Sequence, residues 1–427
     1  MSELATRGAI EAVWRIESAR LLGGLVRMVR DVGLAEDLAQ EALMAALERW
    51  PETGIPDKPG AWLMATAKNR ALDQLRRKQM LDRSHLAIAS DAAGEPAVRP
   101  DLESAIDEDV GDDLLRLILV ACHPVLSTEA RVALTLRLLG GLTTEEIARG
   151  FLLPEPTIAQ RIVRAKRTLA EAKVPFEVPR GEDLTARLAS VLEVIYLIFN
   201  EGYAATRGDD LIRHDLCDDA LRMGRILAEL VPGEAEVHGL VALLEIQASR
   251  LRARVGPGGE AIRLFDQDRS RWDQLLVRRG LEALARSEAL ARPLGPYALQ
   301  AAIAACHARA RTAEETDWKR IVALYDALVE ITGSPVVELN RAVAVSMAFG
   351  PAQALELVEA LSDEPTLREY HLLPSVRADL LEKLDRLEEA GLEFERAASL
   401  AQNARERELL LSRARACGRT VDAGPRA

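Results

Sequence analysis

Apolar residues recur at helical spacing along almost the whole chain, and a sequence of short amphipathic helices follows from that spacing alone. Ile10, Val13, Trp14, Ile16, Leu21, Leu22, Leu25, Met28 and Val29 mark a first helical region, with Gly33 expected to break it. A second helix is expected from about Ala35 to Trp50, ending at Pro51, with Leu38, Ala42, Ala45, Ala46 and Trp50 facing inward. Its other face carries Asp37, Gln40, Glu41, Met44 and Glu48, which suits either solvent or a basic partner helix. A third helix is expected from about Gly60 to Gln79. Met64, Ala67, Ala71 and Leu75 form its core stripe, and Thr66, Asn69, Arg70, Asp73, Arg76 and Arg77 its polar one. Trp62 stands at its start, either as core or as a stacking surface for unpaired bases.

The stretch Leu142–Leu169 reads as helix, tight turn, helix. Thr143 followed three residues later by Glu146 is a capping box, and Gly150 and Pro154 close the short helix that it opens. Pro156 suits the first turn of the next helix. Ile158, Ile162, Ala165 and Leu169 give that helix one apolar stripe, and Thr157, Gln160, Arg161, Arg164, Arg167 and Thr168 lie opposite. A basic face with an amide, and no acid after Glu155 on it, is what a recognition helix needs in a major groove, where arginine reads guanine or phosphate and glutamine reads adenine. A solvated basic face on an ordinary helical hairpin has the same pattern. Ahead of this stretch, Leu114–Val125 and Thr128–Leu139 are expected as two further helices, and Cys122-His123-Pro124 falls short of a metal site.

Between the two helical groups, residues 86–112 contain Gly94, Pro96 and Pro100 together with Asp91, Glu95, Asp101, Glu103, Asp107, Glu108 and Asp109, the composition of an acidic tether. After Pro175, Pro179 and Gly181 the chain continues for more than half its length. Leu188–Phe199 is an apolar helix running into Asn200, Gly202 and Tyr203, where Gly202 is expected to stop it and Asn200 and Tyr203 either cap it locally or dock another domain. Asp266–Asp273 mixes carboxylates, arginines and Trp272, which fits a salt-bridged helix start or a ligand pocket. Ala342, Val345, Ala354 and Val358 recur as Ala378, Leu381, Ala390 and Phe394, an offset of about 36 residues that is close to the tetratricopeptide period of about 34. Tyr297–Thr332 is a diverged earlier unit of the same kind, which predicts about three stacked helical hairpins.

Composition changes this picture in three places. Hydrophobic residues are 48% of the 427 and aromatics only 4%, so leucine, alanine and valine must fill all-α cores. The formal net charge of -12 argues against a nucleic-acid binder taken whole, but phosphates feel charge only within roughly 8 Å. Basic residues crowd into Lys68–Arg83 and Arg161–Lys173. The four cysteines are scattered and form no CxxC, and no signal peptide or long apolar run is seen, so a cytoplasmic protein with reduced thiols and no membrane anchor is expected. Neither a nucleophile–base pair nor a phosphate-cradling glycine loop is visible in the long C-terminal half, so no enzyme, cofactor or metal site is expected there.

The segments Ala35-Glu-Asp-Leu-Ala-Gln-Glu-Ala-Leu and Ala61-Trp-Leu-Met-Ala-Thr-Ala-Lys-Asn-Arg-Ala-Leu-Asp, with the helix-turn-helix at Leu142–Leu169 behind them, resemble a bacterial RNA polymerase sigma factor of the extracytoplasmic-function group. The resemblance implies an all-α protein with a region 2 bundle over residues 1–85, a linker over 86–112, and a region 4 helix-turn-helix domain over 113–175. A helical extension over 180–295 and TPR-like repeats over 296–415 follow. It implies core polymerase, through its clamp helices and flap, and promoter DNA as partners. Asp37, Gln40 and Glu41 would face the clamp helices. Trp62, Lys68, Asn69, Arg70, Asp73, Arg76 and Arg77 would handle the −10 element and the melted strand, and Thr157, Gln160, Arg161, Arg164 and Arg167 the −35 groove. The loop Glu52–Lys58 takes the place of the family loop that captures a flipped base, and the acidic linker would thread the polymerase channel. Ile195-Tyr-Leu-Ile-Phe-Asn-Glu-Gly-Tyr203 and Leu339-Asn-Arg-Ala-Val-Ala344 resemble the subgroup whose C-terminal tetratricopeptide-like extension replaces a separate anti-sigma factor, with regulation, and a protein partner on the repeats, as the implied role. The competing expectation is a helix-turn-helix regulator that senses a protein and never binds core polymerase.

Overall fold

The computed structural model describes residues 3–73, 110–151, 153–206, 210–291 and 293–422. Among these, helices account for nearly all regular structure, with one isolated antiparallel bridge between Val255 and Ala261. The chain divides into two compact units, Met1–Ile195 and Tyr196–Ala427.

In the first unit, α1 (Glu3–Val29) and α2 (Val32–Thr53) form a hairpin, and α3 (residues 59–73) packs beside them. Ile10, Trp14, Leu21, Leu22 and Leu25 are buried as the periodicity predicts, but Ile16 falls out of phase and is 64% exposed. The break between α1 and α2 lies at Arg30, in the left-handed region at φ 54, and at Asp31, whose Oδ1 accepts from the Leu34 amide at 2.9 Å. Gly33 is therefore not the break: with Asp31 as the cap, it sits in the first turn of α2. Pro51 does not stop α2 either. A proline in the last turn sacrifices one backbone hydrogen bond, and the helix runs on to Thr53, where Gly54 closes it at φ 83. In α3 the buried stripe is Leu63, Ala67 and Ala71, with Met64 half-buried; Leu75, Arg76 and Arg77 lie outside the described residues, as do residues 86–109 of the acidic linker.

The same unit holds α4 (Val110–Ala121), α5 (Thr128–Thr135), a π-helical turn at Leu136–Gly140, α6 (Thr144–Phe151) and α7 (Glu155–Glu171). The second predicted helix thus ends as a regular α-helix at Thr135 and widens into the π turn up to Gly141, which adopts φ 70. The first half of α8 (Glu182–Tyr203) packs on α4 and α5: Ser190 Oγ donates to the Cys122 carbonyl at 2.6 Å, and Arg131 reaches Ser190, Glu193 and Thr128. The division between units falls inside α8, beyond the Pro175–Gly181 run.

The second unit contains the end of α8, then α9 (His214–Leu230), α10 (Ala235–Ala248), α11 (Gln274–Leu290), α12 (Pro296–Arg309), α13 (Trp318–Thr332), α14 (Pro335–Phe349), α15 (Pro351–Ala360), α16 (Leu372–Lys383), α17 (Leu387–Leu400) and α18 (Ala404–Asp422). From α12 onward each helix packs on the next. All eight repeat positions read from the sequence, Ala342 through Phe394, are buried in one core shared by α14 to α18, where small alanines let the helices close on Phe394 and the leucines. Gly202 is not a helix stop, since α8 continues to Tyr203. It is a point of close approach: a Cβ there would lie 2.7 Å from the Cys217 amide nitrogen of α9. Trp272 is core, and Asp273 caps α11 through the Leu275 and Leu276 amides at 2.9 and 3.1 Å, as the helix-start reading of Asp266–Asp273 expects. All four cysteines are buried free thiols. Among the described residues no helix is long and apolar enough to cross a membrane.

Candidate nucleic-acid interface

The helix-turn-helix is built as its residues dictate. The Thr143 amide donates to Glu146 Oε2 at 2.7 Å, and the Glu146 amide donates to Thr143 Oγ1 at 3.1 Å, so the capping box is closed in both directions. Arg15 of α1 adds a 3.0 Å ion pair to the same carboxylate. Burial pushes the Glu146 carboxyl up, but the Thr143 hydrogen bonds and Arg15 outweigh it and hold the pKa below the ordinary value. After the turn, Pro154 precedes α7 and Pro156 lies in its first turn, so neither costs a helical hydrogen bond. Ile158, Ile162, Ala165 and Leu169 are buried against α5 and α6.

That burial fixes which way the polar residues of α7 face. Gln160, Arg164 and Arg167 are exposed, and Thr157 and Arg161 are half-buried. Arg167 is paired with Glu171 at 2.7 Å, one turn on, an exposed bond that an approaching phosphate can replace. Val163 is also exposed, at 64%, and adds an apolar spot beside Gln160 and Arg164. Lys166 leaves this face and pairs with Glu36 of α2.

On the other helices, Asp37 and Glu41 are exposed and Gln40 half-buried on one side of α2, beside an exposed Met44. Asn69 and Asp73 of α3 are exposed, and Lys68 and Arg70 half-buried. The Arg70 guanidinium pairs with Glu41 at 3.0 Å, which joins two residues that sequence reading gives to different partners. Trp62 is half-buried and sits edge-on to the buried Trp50, ring centroids 5.3 Å apart, so part of the ring is committed to packing and part is accessible.

The residue that sequence reading passes over is Glu36. It is only 6% exposed and bonds Arg137 Nε at 2.6 Å as well as Lys166. Burial raises its pKa, and the two cations together lower it further than burial raises it, so the carboxyl stays charged. Helical phase places Glu36 at the margin of the apolar stripe of α2, but partners about a hundred residues away leave no local pattern.

Comparison with known proteins fits this geometry. Sigma-70 region 2 matches residues 16–80, sigma-70 region 4 matches residues 116–169, and a family of unknown function, DUF6596, matches residues 187–288. An uncharacterized protein of Rhizobium meliloti is 43% identical over 389 residues, 90% of each chain. The probable ECF RNA polymerase sigma factor SigI of Mycobacterium tuberculosis is 31% identical over 176 residues, 40% of this chain and 57% of that one. The ECF RNA polymerase sigma factor SigL of the same organism is 26% identical over 166 residues, 39% of this chain and 89% of that one. No solved structure matches the chain. With both sigma-70 regions present in order, the chain belongs to the sigma-70 family of RNA polymerase sigma factors, in the extracytoplasmic-function group, and carries a long helical C-terminal extension.

Proposed function

We propose that this sigma factor grips its promoter at two points while a third surface holds core polymerase. Gln160, Arg161 and Arg164, flanked by Thr157 and Arg167, enter the −35 major groove. Trp62, Lys68, Asn69, Arg70 and Asp73, with Arg76 and Arg77 beyond the described part of α3, handle the −10 element and the melted strand. Asp37, Gln40 and Glu41 dock the clamp helices, and region 4 docks the flap. Residues 1–85 and 113–175 serve as the two promoter modules and 86–112 as the tether. Residues 180–295 and the TPR-like residues 296–415 regulate them through a protein partner. The chain works in the cytoplasm with the polymerase and is not itself an enzyme.

The observation that carries this reading is the outward basic face of α7, fixed by four buried apolar residues and a closed capping box. Arginines so placed pair with phosphates and guanine edges. The decisive experiment is co-purification with core polymerase followed by start-site mapping on a candidate promoter. The proposal expects a stable complex and a defined start; a protein that neither binds core nor directs a start site overturns it. The regulatory part is tested with a chain ending at Tyr203, which retains Ser190 and Glu193 as partners of Arg131. It should bind core as the full chain does but transcribe to a different level, and equal transcription would remove the regulatory assignment.

A further inference from the structure

The second unit contains a cavity of about 290 Å³ between α8, α10, α12 and α13. Its chemistry is out of balance. Arg250, at the end of α10, is 7% exposed, and its Nε has no hydrogen-bond partner. Among the described residues no carboxylate pairs with it, and no Asp or Glu lines the cavity. Its support is aromatic: the guanidinium lies 5.8 Å from the Tyr203 ring centroid and 5.7 Å from that of Trp272. Cation–π contacts are weak beside the penalty of burying an unpaired ion.

The surroundings add positive charge rather than cancel it. Arg254 stacks on Tyr203 at 3.7 Å, and Arg269 lies 5.1 Å from the Trp272 ring and donates to the carbonyls of His307 and Ala310. His307 is 8% exposed, and its Nδ1 has no partner. Burial, then the Arg250 and Arg269 cations, pull its pKa down to about 3, so it is a neutral donor and acceptor at pH 7. Gln247 Oε1 is also buried without a partner, while Gln300 is already engaged by the Tyr196 hydroxyl at 3.0 Å. The rest of the lining mixes apolar Phe199, Leu243, Leu264 and Ile303 with polar Asn200, Tyr325 and Asn340.

We propose that this cavity is a binding site for a small organic carboxylate, whose charge pairs with Arg250 and whose polar substituents meet Gln247 and His307. The planar guanidinium fork suits a carboxylate, and the apolar and aromatic walls suit a ring or short chain behind it. Among the described residues Arg250 is the one cationic side chain in the lining, which matches a carboxylate monoanion better than a phosphate dianion. The assignment concerns the second unit alone and stands whether or not the promoter reading holds.

Isothermal titration of the full chain at constant ionic strength tests it, with sodium benzoate and sodium 4-hydroxybenzoate as probes. The amides of both acids serve as uncharged counterparts, and inorganic phosphate as the competing anion. Saturable binding of a carboxylate is expected, weakened about tenfold or more in its amide and in Arg250→Gln. The exposed Arg286→Gln should bind like the parent chain. Should Arg250→Gln lose its helical circular dichroism, Arg250→Lys, which keeps the charge but not the planar fork, carries the comparison and should bind more weakly. No saturable carboxylate binding, equal binding by acid and amide, undiminished binding in the Arg250 variants, or preference for phosphate would each overturn the proposal.

Discussion

At the residue scale, an exposed guanidinium and a buried imidazole make opposite kinds of prediction. Arg164 projects from α7 with its side chain in solvent, so removing it leaves the helix-turn-helix core intact. Arg164→Ala should weaken binding to the −35 duplex by about 1–3 kcal/mol if it reads a base, with the loss concentrated at one base pair. A uniform loss across sequences, with a shallower salt dependence, would reassign it to phosphate. His307 acts through stability instead. Its folded pKa of about 3 lies below the ordinary 6.5, so the unfolded chain takes up a proton at higher pH than the folded one. Its contribution is complete above about pH 6.5 and is lost as pH falls toward 3. Urea unfolding of His307→Gln should show a flatter pH dependence over that interval than the parent chain, and an unchanged slope would count against the assignment. Arg164 was legible in the sequence because helical phase puts it opposite a four-residue apolar stripe. His307 and Arg250 were not, because their significance lies in partners they lack, and an absent partner leaves no pattern.

At the scale of elements, periodicity carried most of the information, and its errors have separate local and tertiary causes. Gly33, Pro51 and Gly202 all read as helix boundaries, and none of them is one. In α2 the side chain of Asp31 decides where the helix starts, and Pro51 falls in a last turn where its missing amide costs little. At Gly202 tertiary packing replaces local propensity, because the backbone of α9 passes where a side chain would be. This reverses the usual sign of a glycine-to-alanine change, which in a helix interior gains about 1 kcal/mol from propensity. Gly202→Ala should destabilise the protein, since a Cβ would meet Cys217 nitrogen at 2.7 Å and Leu216 Cβ at 2.9 Å. Gly391→Ala in α17 meets only ordinary contacts, the nearest being Cys417 Cβ at 3.7 Å, and should be neutral or stabilising. Chemical denaturation of both variants checks this, and stabilisation by Gly202→Ala would show that α8 and α9 do not approach so closely. The repeat in α14 to α17 was legible for the complementary reason: small and large positions recur together, and each one is buried.

At the scale of the whole molecule, charge is sorted rather than summed. A chain of net charge -12 keeps Gln160, Arg164 and Arg167 on one outward face, yet spends Lys166 of the same helix on Glu36. That pair, with Arg137, ties α7 to α2, so within the first unit the helix proposed for the −35 element is fastened to the helix proposed for core polymerase. If the proposed two-point grip draws α7 away from α2, the Glu36 bridges have to open, and their strength then sets how readily region 4 is released. Glu36→Gln removes the charge with little change in volume. It should raise the affinity of the free protein for −35 DNA by several-fold, a shift of about 1 kcal/mol, and lower the stability of the first unit, because Arg137 and Lys166 lose their shared carboxylate. The folded pKa of Glu36 is depressed, so the bridges are present above the ordinary carboxylate pKa of 4.5 and are lost as pH falls through the lower folded value. Above that range only added salt or the substitution should loosen them. Fluorescence anisotropy on −35 duplex across a salt series separates the two effects. If Glu36→Gln binds no better than the parent chain at low salt, the bridges do not restrain region 4, and the barrier to opening lies in the other contacts of α1, among them Arg15–Glu146 and Arg27–Asp113.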